Sequence, residues 1–164
     1  MLKALTIGLT ACGLLASSGM ALAQPAYGSY IGLGLGFGLT DGNIFDGDSR
    51  AATGLVSLRY KFLEVPLSIR TQLLIGSSTA IVPTVSYDVP LNFNTDIYLG
   101  LGASIANSIT PVGNKNSFVL QPGIDYAIPN SNFVIFGNAI FAFDAFRNAN
   151  NTATSLQTGV GFRF

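Results

Sequence analysis

From Tyr30 to Thr40 the chain reads YIGLGLGFGLT, with glycine at 32, 34, 36 and 38 and Ile31, Leu33, Leu35 and Phe37 between them. Strict period two belongs to an extended strand, whose successive side chains leave on opposite faces. A dinucleotide-binding loop would instead place its third glycine in the first turn of a helix, at G-x-G-x-x-G spacing. The stretch therefore reads as a strand with one apolar face and one bare face.

The alternation recurs along the chain. Val56, Leu58, Tyr60 and Phe62 oppose Ser57, Arg59 and Lys61, while Leu67, Ile69, Thr71, Leu73 and Ile75 oppose Ser68, Arg70, Gln72 and Leu74. Phe118, Leu120, Pro122, Ile124 and Tyr126 oppose Val119, Gln121, Gly123 and Asp125. Near the end, Leu156, Thr158, Val160, Phe162 and Phe164 oppose Ser155, Gln157, Gly159, Gly161 and Arg163. Turn-forming residues bound eight such segments, at about 27–39, 52–62, 65–76, 79–89, 95–106, 117–128, 132–144 and 153–164. Each is near or above the roughly 9 to 11 residues that a tilted strand needs to cross a bilayer.

The connections alternate in kind. Those after the first, fifth and seventh segments are long and polar (DGNIFDGDSR, NSITPVGNKN, AFRNANN), and those after the second, fourth and sixth are short or proline-marked (LE, PLNFN, PNS). SS, after the third, is short where a long loop is expected. Long loops at one end and tight turns at the other predict an all-β fold, an eight-stranded antiparallel up-and-down transmembrane β-barrel.

Composition separates a membrane barrel from a soluble one. Charged residues are 10% of the 164 and apolar ones 49%, against roughly 25% charged in an ordinary soluble domain. After the leader no segment offers the roughly 20 consecutive apolar residues of a membrane helix, which leaves the closed barrel as the spanning structure. A solvent-facing polar side would be rich in Lys and Glu, whereas this one carries glycine, serine and glutamine, the content of a lumen. An eight-stranded barrel is just wide enough for side chains to fill, so the glycines of the first strand are expected to make room for inward Tyr98, Phe136 or arginines opposite. Aromatic girdles are expected at Tyr27, Tyr60, Phe62, Tyr87, Tyr126, Phe133, Phe162 and Phe164 on one rim and Phe37, Phe118, Phe141 and Phe143 toward the other.

Residues 1–23 read as a cleaved secretory signal peptide, with Lys3 before an apolar run and Ala21-Leu22-Ala23 as the cleavage pattern, leaving 24–164 as the barrel. Leu9-Thr10-Ala11-Cys12 also resembles a lipobox, but it stands close to Lys3 and a second apolar stretch would follow it without purpose. Cys12 is the only cysteine, so it would leave with the leader. Loss of Lys3 would leave 7 basic against 8 acidic residues, a balance that argues against nucleic acid as a partner.

Candidate chemistry is sparse. With no histidine in the chain, a Ser-His nucleophile cannot be built, and no serine stands in a recognisable nucleophile setting, so no enzyme is expected. Asp41, Asp46 and Asp48 could offer oxygens to a hard cation but lack EF-hand spacing and its distal Glu, so they read as a solvated loop and no metal or cofactor is expected. Arg59, Lys61, Arg70 and Arg163 share the inward parity with Asp88, Asp96 and Asp125, near the turn ends of their strands. Buried charges persist when paired. The seven are expected in one network, either a gate or selectivity lattice or an ion-pair plug.

These residues resemble the small eight-stranded outer-membrane barrels of Gram-negative bacteria, of the OmpA transmembrane-domain, OmpX and opacity-protein type, over Gln24–Phe164. The most specific element is the C-terminal LQTGVGFRF, in which Leu156, Val160, Phe162 and Phe164 look like the signal read by the barrel assembly machinery and Thr158 departs mildly. The resemblance implies a monomer in the outer membrane, with lipid and that machinery as partners and a structural or surface-interaction role around a mostly filled lumen. A small porin-like channel for water or small solutes is the alternative. A secreted barrel for a lipophilic ligand would need the opposite parity, and a lipid-modifying enzyme stands further off.

Overall fold

The computed structural model describes residues 28–40, 52–147 and 151–164. The leader with Cys12, Tyr27, and the loop with Asp41, Asp46 and Asp48 lie outside the described residues.

Eight strands form: β1 (Tyr30–Gly38), β2 (Ala52–Lys61), β3 (Leu67–Ile75), β4 (Thr79–Asn92), β5 (Thr95–Ala106), β6 (Ser117–Ala127), β7 (Phe133–Phe143) and β8 (Ala153–Arg163). Each pairs antiparallel with its sequence neighbour, and β1 with β8, closing the barrel in the order β1 to β8. Closure leaves no edge strand to satisfy, the condition for placing a sheet in hydrocarbon. The expected strands all appear, with shifts at the turns. β1 begins at Tyr30 rather than 27, and β3 at Leu67 because the chain bends over 63–66. β4 runs on through the stretch read as a turn: Pro90 pairs with Asp96 and, after a bulge, Asn92 with Thr95. The Asn92 side chain accepts the N–H of Asn94 at 2.8 Å, so the reversal needs only 93–94.

Outward positions are apolar on every strand, as at Leu33, Tyr60, Val85, Leu101, Phe118 and Val160, with Leu33 69% exposed. Water would not tolerate a belt that circles the molecule, since contiguous apolar patches on soluble monomers rarely exceed a few hundred Å². Aromatic residues stand at its rims: Tyr60 against Phe62 and Phe133 against Phe162 at the end that carries the termini of the barrel, Phe118 against Phe143 at the other.

The interior is layered along the axis. Charged residues fill the termini end, and amides and hydroxyls the middle, where Gln121 accepts from Thr84 at 2.6 Å and donates to Asn138 at 3.2 Å. The loop end is apolar: Leu55, Leu74, Val82, Val119 and Ile140 form one buried cluster with Val112 of the β5–β6 loop and Ala145 and Phe146 of the β7–β8 loop. The expectation of a uniformly small or polar inner face is thus corrected. That end of the lumen holds a hydrophobic cluster beside the buried hydroxyls of Thr53, Ser104 and Ser155, signalled beforehand by Leu74 and Val119 on the inward parity. The two loops are joined over it, with the Asn114 N–H donating to the Ala145 carbonyl at 2.9 Å and the Arg147 N–H to Asn114 Oδ1 at 2.9 Å. Gly113 permits this approach: its φ is 103°, and a Cβ there would strike the Ala145 methyl at 2.6 Å.

Candidate functional site: a charge cluster across the lumen

Three cations and three carboxylates meet inside the termini end. Arg59 Nη2 lies 2.6 Å from Asp88 and 3.1 Å from Asp96, and its Nη1 lies 2.9 Å from Asp125. Arg70 Nη2 is 2.8 Å from Asp125 and 3.3 Å from Asp88, and Lys61 Nζ is 2.9 Å from Asp96. The Arg59 and Asp side chains are wholly buried, and Lys61 is the outermost member, with 4% of its side chain exposed. The set is neutral, as a buried cluster must be when each unpaired ion would cost several kcal/mol in lost hydration.

Neutral donors complete the coordination. Ser86 donates to Asp88 Oδ1 at 2.8 Å, Ser68 donates to Asp88 Oδ2, and Arg70 Nε donates to Ser86 at 2.9 Å. Tyr30 donates to Asp125 Oδ1 at 3.1 Å and accepts from Arg70 Nη1 at 3.4 Å. The Arg70 guanidinium carbon sits 3.3 Å from the centre of the Tyr98 ring, well inside cation–π range. Two atoms are less well served among the described residues: Asp96 Oδ1 has no hydrogen-bond partner, and Arg59 Nη1 is close to Asp125 but misaligned for a hydrogen bond.

Glycines admit the large rings, for Phe136 as the sequence suggested and for Tyr98 not. Phe136 lies against Gly32 and Gly159, and a Cβ at either would approach the ring to 2.6 Å. Tyr30 occupies the space left by Gly161 and stacks on Phe136 at 5.7 Å. Tyr98, expected opposite the first strand, rests instead on Gly123 of β6. Register decides this, because Tyr98 pairs directly with Gly123.

Six of the seven residues singled out from sequence therefore come together: Arg59, Lys61, Arg70, Asp88, Asp96 and Asp125. Arg163 stands at the far end of β8, where its guanidinium donates to the Ser131 carbonyl of the β6–β7 turn. Sequence reasoning missed Tyr30, Ser68 and Ser86 as members. Tyr30 could have been found by extending the glycine parity of β1 one step back. Leu156, Val160, Phe162 and Phe164 all face outward on or just after β8, on the apolar belt.

No protein-family model matches this sequence, and no curated protein does. Solved structures do match in shape. Ail, the attachment invasion locus protein of Yersinia pestis, superposes with a TM-score of 0.57 at 18% identity, over 84% of this chain and 99% of that one. Neisserial surface protein A superposes with a TM-score of 0.56 at 15% identity, over 83% and 97%. A de novo designed transmembrane β-barrel gives 0.55 at 8% identity, over 84% and 97%. At such low identity the likeness is one of architecture, and a designed sequence among the matches underlines that. This chain has the fold of the small eight-stranded outer-membrane β-barrels.

Proposed function

We propose that the chain is an exported, monomeric outer-membrane barrel that presents its loops at the cell surface and does not conduct, and that its role is surface interaction rather than catalysis. The observation that supports this reading is side-chain contact across the inside of the barrel. The Arg59–Asp125 and Arg70–Asp125 contacts cross the termini end from wall to wall, and the apolar cluster with Val112 and Phe146 fills the other. An eight-stranded barrel has no room for a path around both. On this reading the charge cluster is a structural plug, and the outward Leu156, Val160, Phe162 and Phe164 of the last strand serve as the signal for the barrel assembly machinery. The names of the two natural structures, an attachment and invasion protein and a surface protein, support a surface role. So does the hydrogen-bonded pair of loops, which offers a fixed surface at the loop end.

Planar-bilayer recording together with unboiled gel mobility of the outer-membrane fraction tests the reading. The expected outcome is a heat-modifiable outer-membrane band and no channel events, with Arg70→Ala lowering stability. Steady conductance in the wild type, abolished or altered in Arg70→Ala, would establish the porin-like alternative instead.

A further inference from the structure

At the termini-end rim, between the start of β1 and the β2–β3 turn, lies an open groove of about 520 Å³, within the roughly 300 to 1,000 Å³ of small-ligand sites. Its apolar walls are Tyr60, Phe62, Leu63 and Val65, all exposed, and Tyr60 and Phe62 belong to the outward aromatic rim. It is thus continuous with the lipid-facing belt on one side and open to water on the other.

Two polar groups mark its wet side. Ser29 is fixed in place: its carbonyl accepts from the Phe164 N–H at 3.1 Å and its hydroxyl accepts from the Lys61 N–H at 3.3 Å. A hydroxyl that accepts still has one proton to donate. Glu64 projects from the turn, and among the described residues no basic side chain pairs with it. Lys61, the nearby cation, is committed to Asp96 inside the lumen. The groove therefore offers one neutral donor, one carboxylate and an apolar wall.

We infer that this groove holds the headgroup of a bilayer phospholipid bearing a primary ammonium, with phosphate oxygen accepting from Ser29, ammonium meeting Glu64, and glycerol and upper acyl carbons lying on Tyr60, Phe62, Leu63 and Val65. Charge selects within the lipid class. A net-anionic headgroup would bring its phosphate to the Glu64 carboxylate with no cation to balance it, and a quaternary ammonium cannot donate a hydrogen bond to that carboxylate. The inference rests on the reading that the belt faces a bilayer.

The test is native mass spectrometry of the purified, delipidated barrel in detergent, titrated with phosphatidylethanolamine, phosphatidylcholine and phosphatidylglycerol, with unboiled gel mobility confirming that each variant is folded. Phosphatidylethanolamine should be retained in preference to the other two. Glu64→Gln should reduce that preference by up to about fivefold, the upper range of a part-exposed ion pair, and Ser29→Ala should weaken all three lipids alike. Equal retention of the three lipids, or an unchanged preference in Glu64→Gln, would overturn the inference. So would a variant lacking residues 24–27 that gains lipid binding, since the groove would then belong to the chain's own preceding segment. A wild-type protein that fails to fold into liposomes would defeat the membrane reading itself, whereas folding without headgroup preference defeats only this site.

Discussion

Arg59 and Asp125 stand on β2 and β6, four strands apart in a ring of eight and so on opposite walls, yet their side chains meet at 2.9 Å. Contact across the full width ties opposite walls by charge, where backbone hydrogen bonds join only neighbouring strands. Asp125 also meets Arg70 and Tyr30, so it holds three partners from three strands. Removing it would leave Arg59, Arg70 and Lys61 facing only Asp88 and Asp96 in a buried cluster. Asp125→Ala should lower stability by about 3 to 5 kcal/mol, the range for breaking one side of a buried pair, measured by urea titration of the barrel in lipid vesicles.

Charge parity makes a sharper claim than any single deletion. Asp96→Asn leaves Lys61 with a neutral partner and three cations facing two carboxylates. Adding Lys61→Met restores balance, with Arg59 and Arg70 facing Asp88 and Asp125. The double variant should therefore be more stable than Asp96→Asn alone, by about 1 kcal/mol or more. Double-mutant-cycle titrations read this directly, and additive losses would mean that Lys61 and Asp96 do not act as a pair.

At the loop end, Asn114 receives two bonds from Arg147, one on its side-chain oxygen at 2.9 Å and one on its carbonyl at 3.1 Å, while Lys115 and Asp144 pair in the open at 2.6 Å. The exposed pair should matter little, with Lys115→Ala changing stability by less than about 1 kcal/mol. Asn114→Ala removes a buried acceptor, so it should loosen the β7–β8 loop and speed tryptic cleavage after Arg147 without changing the barrel's gel mobility.

Much of this was legible in the sequence because a barrel repeats one rule. Period-two alternation at Leu58/Arg59 or Phe162/Arg163 assigns each side chain to a face without knowledge of its neighbours. Axial position and partner choice are another matter. Arg163 shares its parity with Arg59 and Arg70, and Arg59 and Arg163 both pair with Tyr30, yet Arg163 ends β8 beside the β6–β7 turn, where it donates to the Ser131 carbonyl. Parity is a local property, whereas register is fixed by how turns and bulges offset one strand against the next. The apolar loop-end core was obscured for a related reason: Ile140 sits on a strand whose two faces are both mostly apolar, so alternation gave no contrast there, and Val82 shares its inner face with the polar Thr84, Ser86 and Asp88.

The first strand, with its alternating glycines, allows both faces to be tested at almost one position. Leu35 is exposed on the belt, so Leu35→Arg places a charge in hydrocarbon and should cost about 2 to 4 kcal/mol near the bilayer midplane. Gly34, one residue away, faces a different obstacle. A Cβ there would collide with the Thr158 carbonyl and approach the Gly159 Cα to 2.8 Å, which is backbone and cannot swing aside. Even Gly34→Ala should therefore destabilise β1–β8 pairing. Gly54→Ala should not, because the added Cβ would find its nearest atom, the Ile75 carbonyl oxygen, at an acceptable 3.4 Å. Vesicle-folding yields for the three variants should fall for Leu35→Arg and Gly34→Ala and hold for Gly54→Ala. Wild-type folding of Gly34→Ala would show that β1 and β8 can separate at that level, and that the close glycine approach is not what seals the barrel.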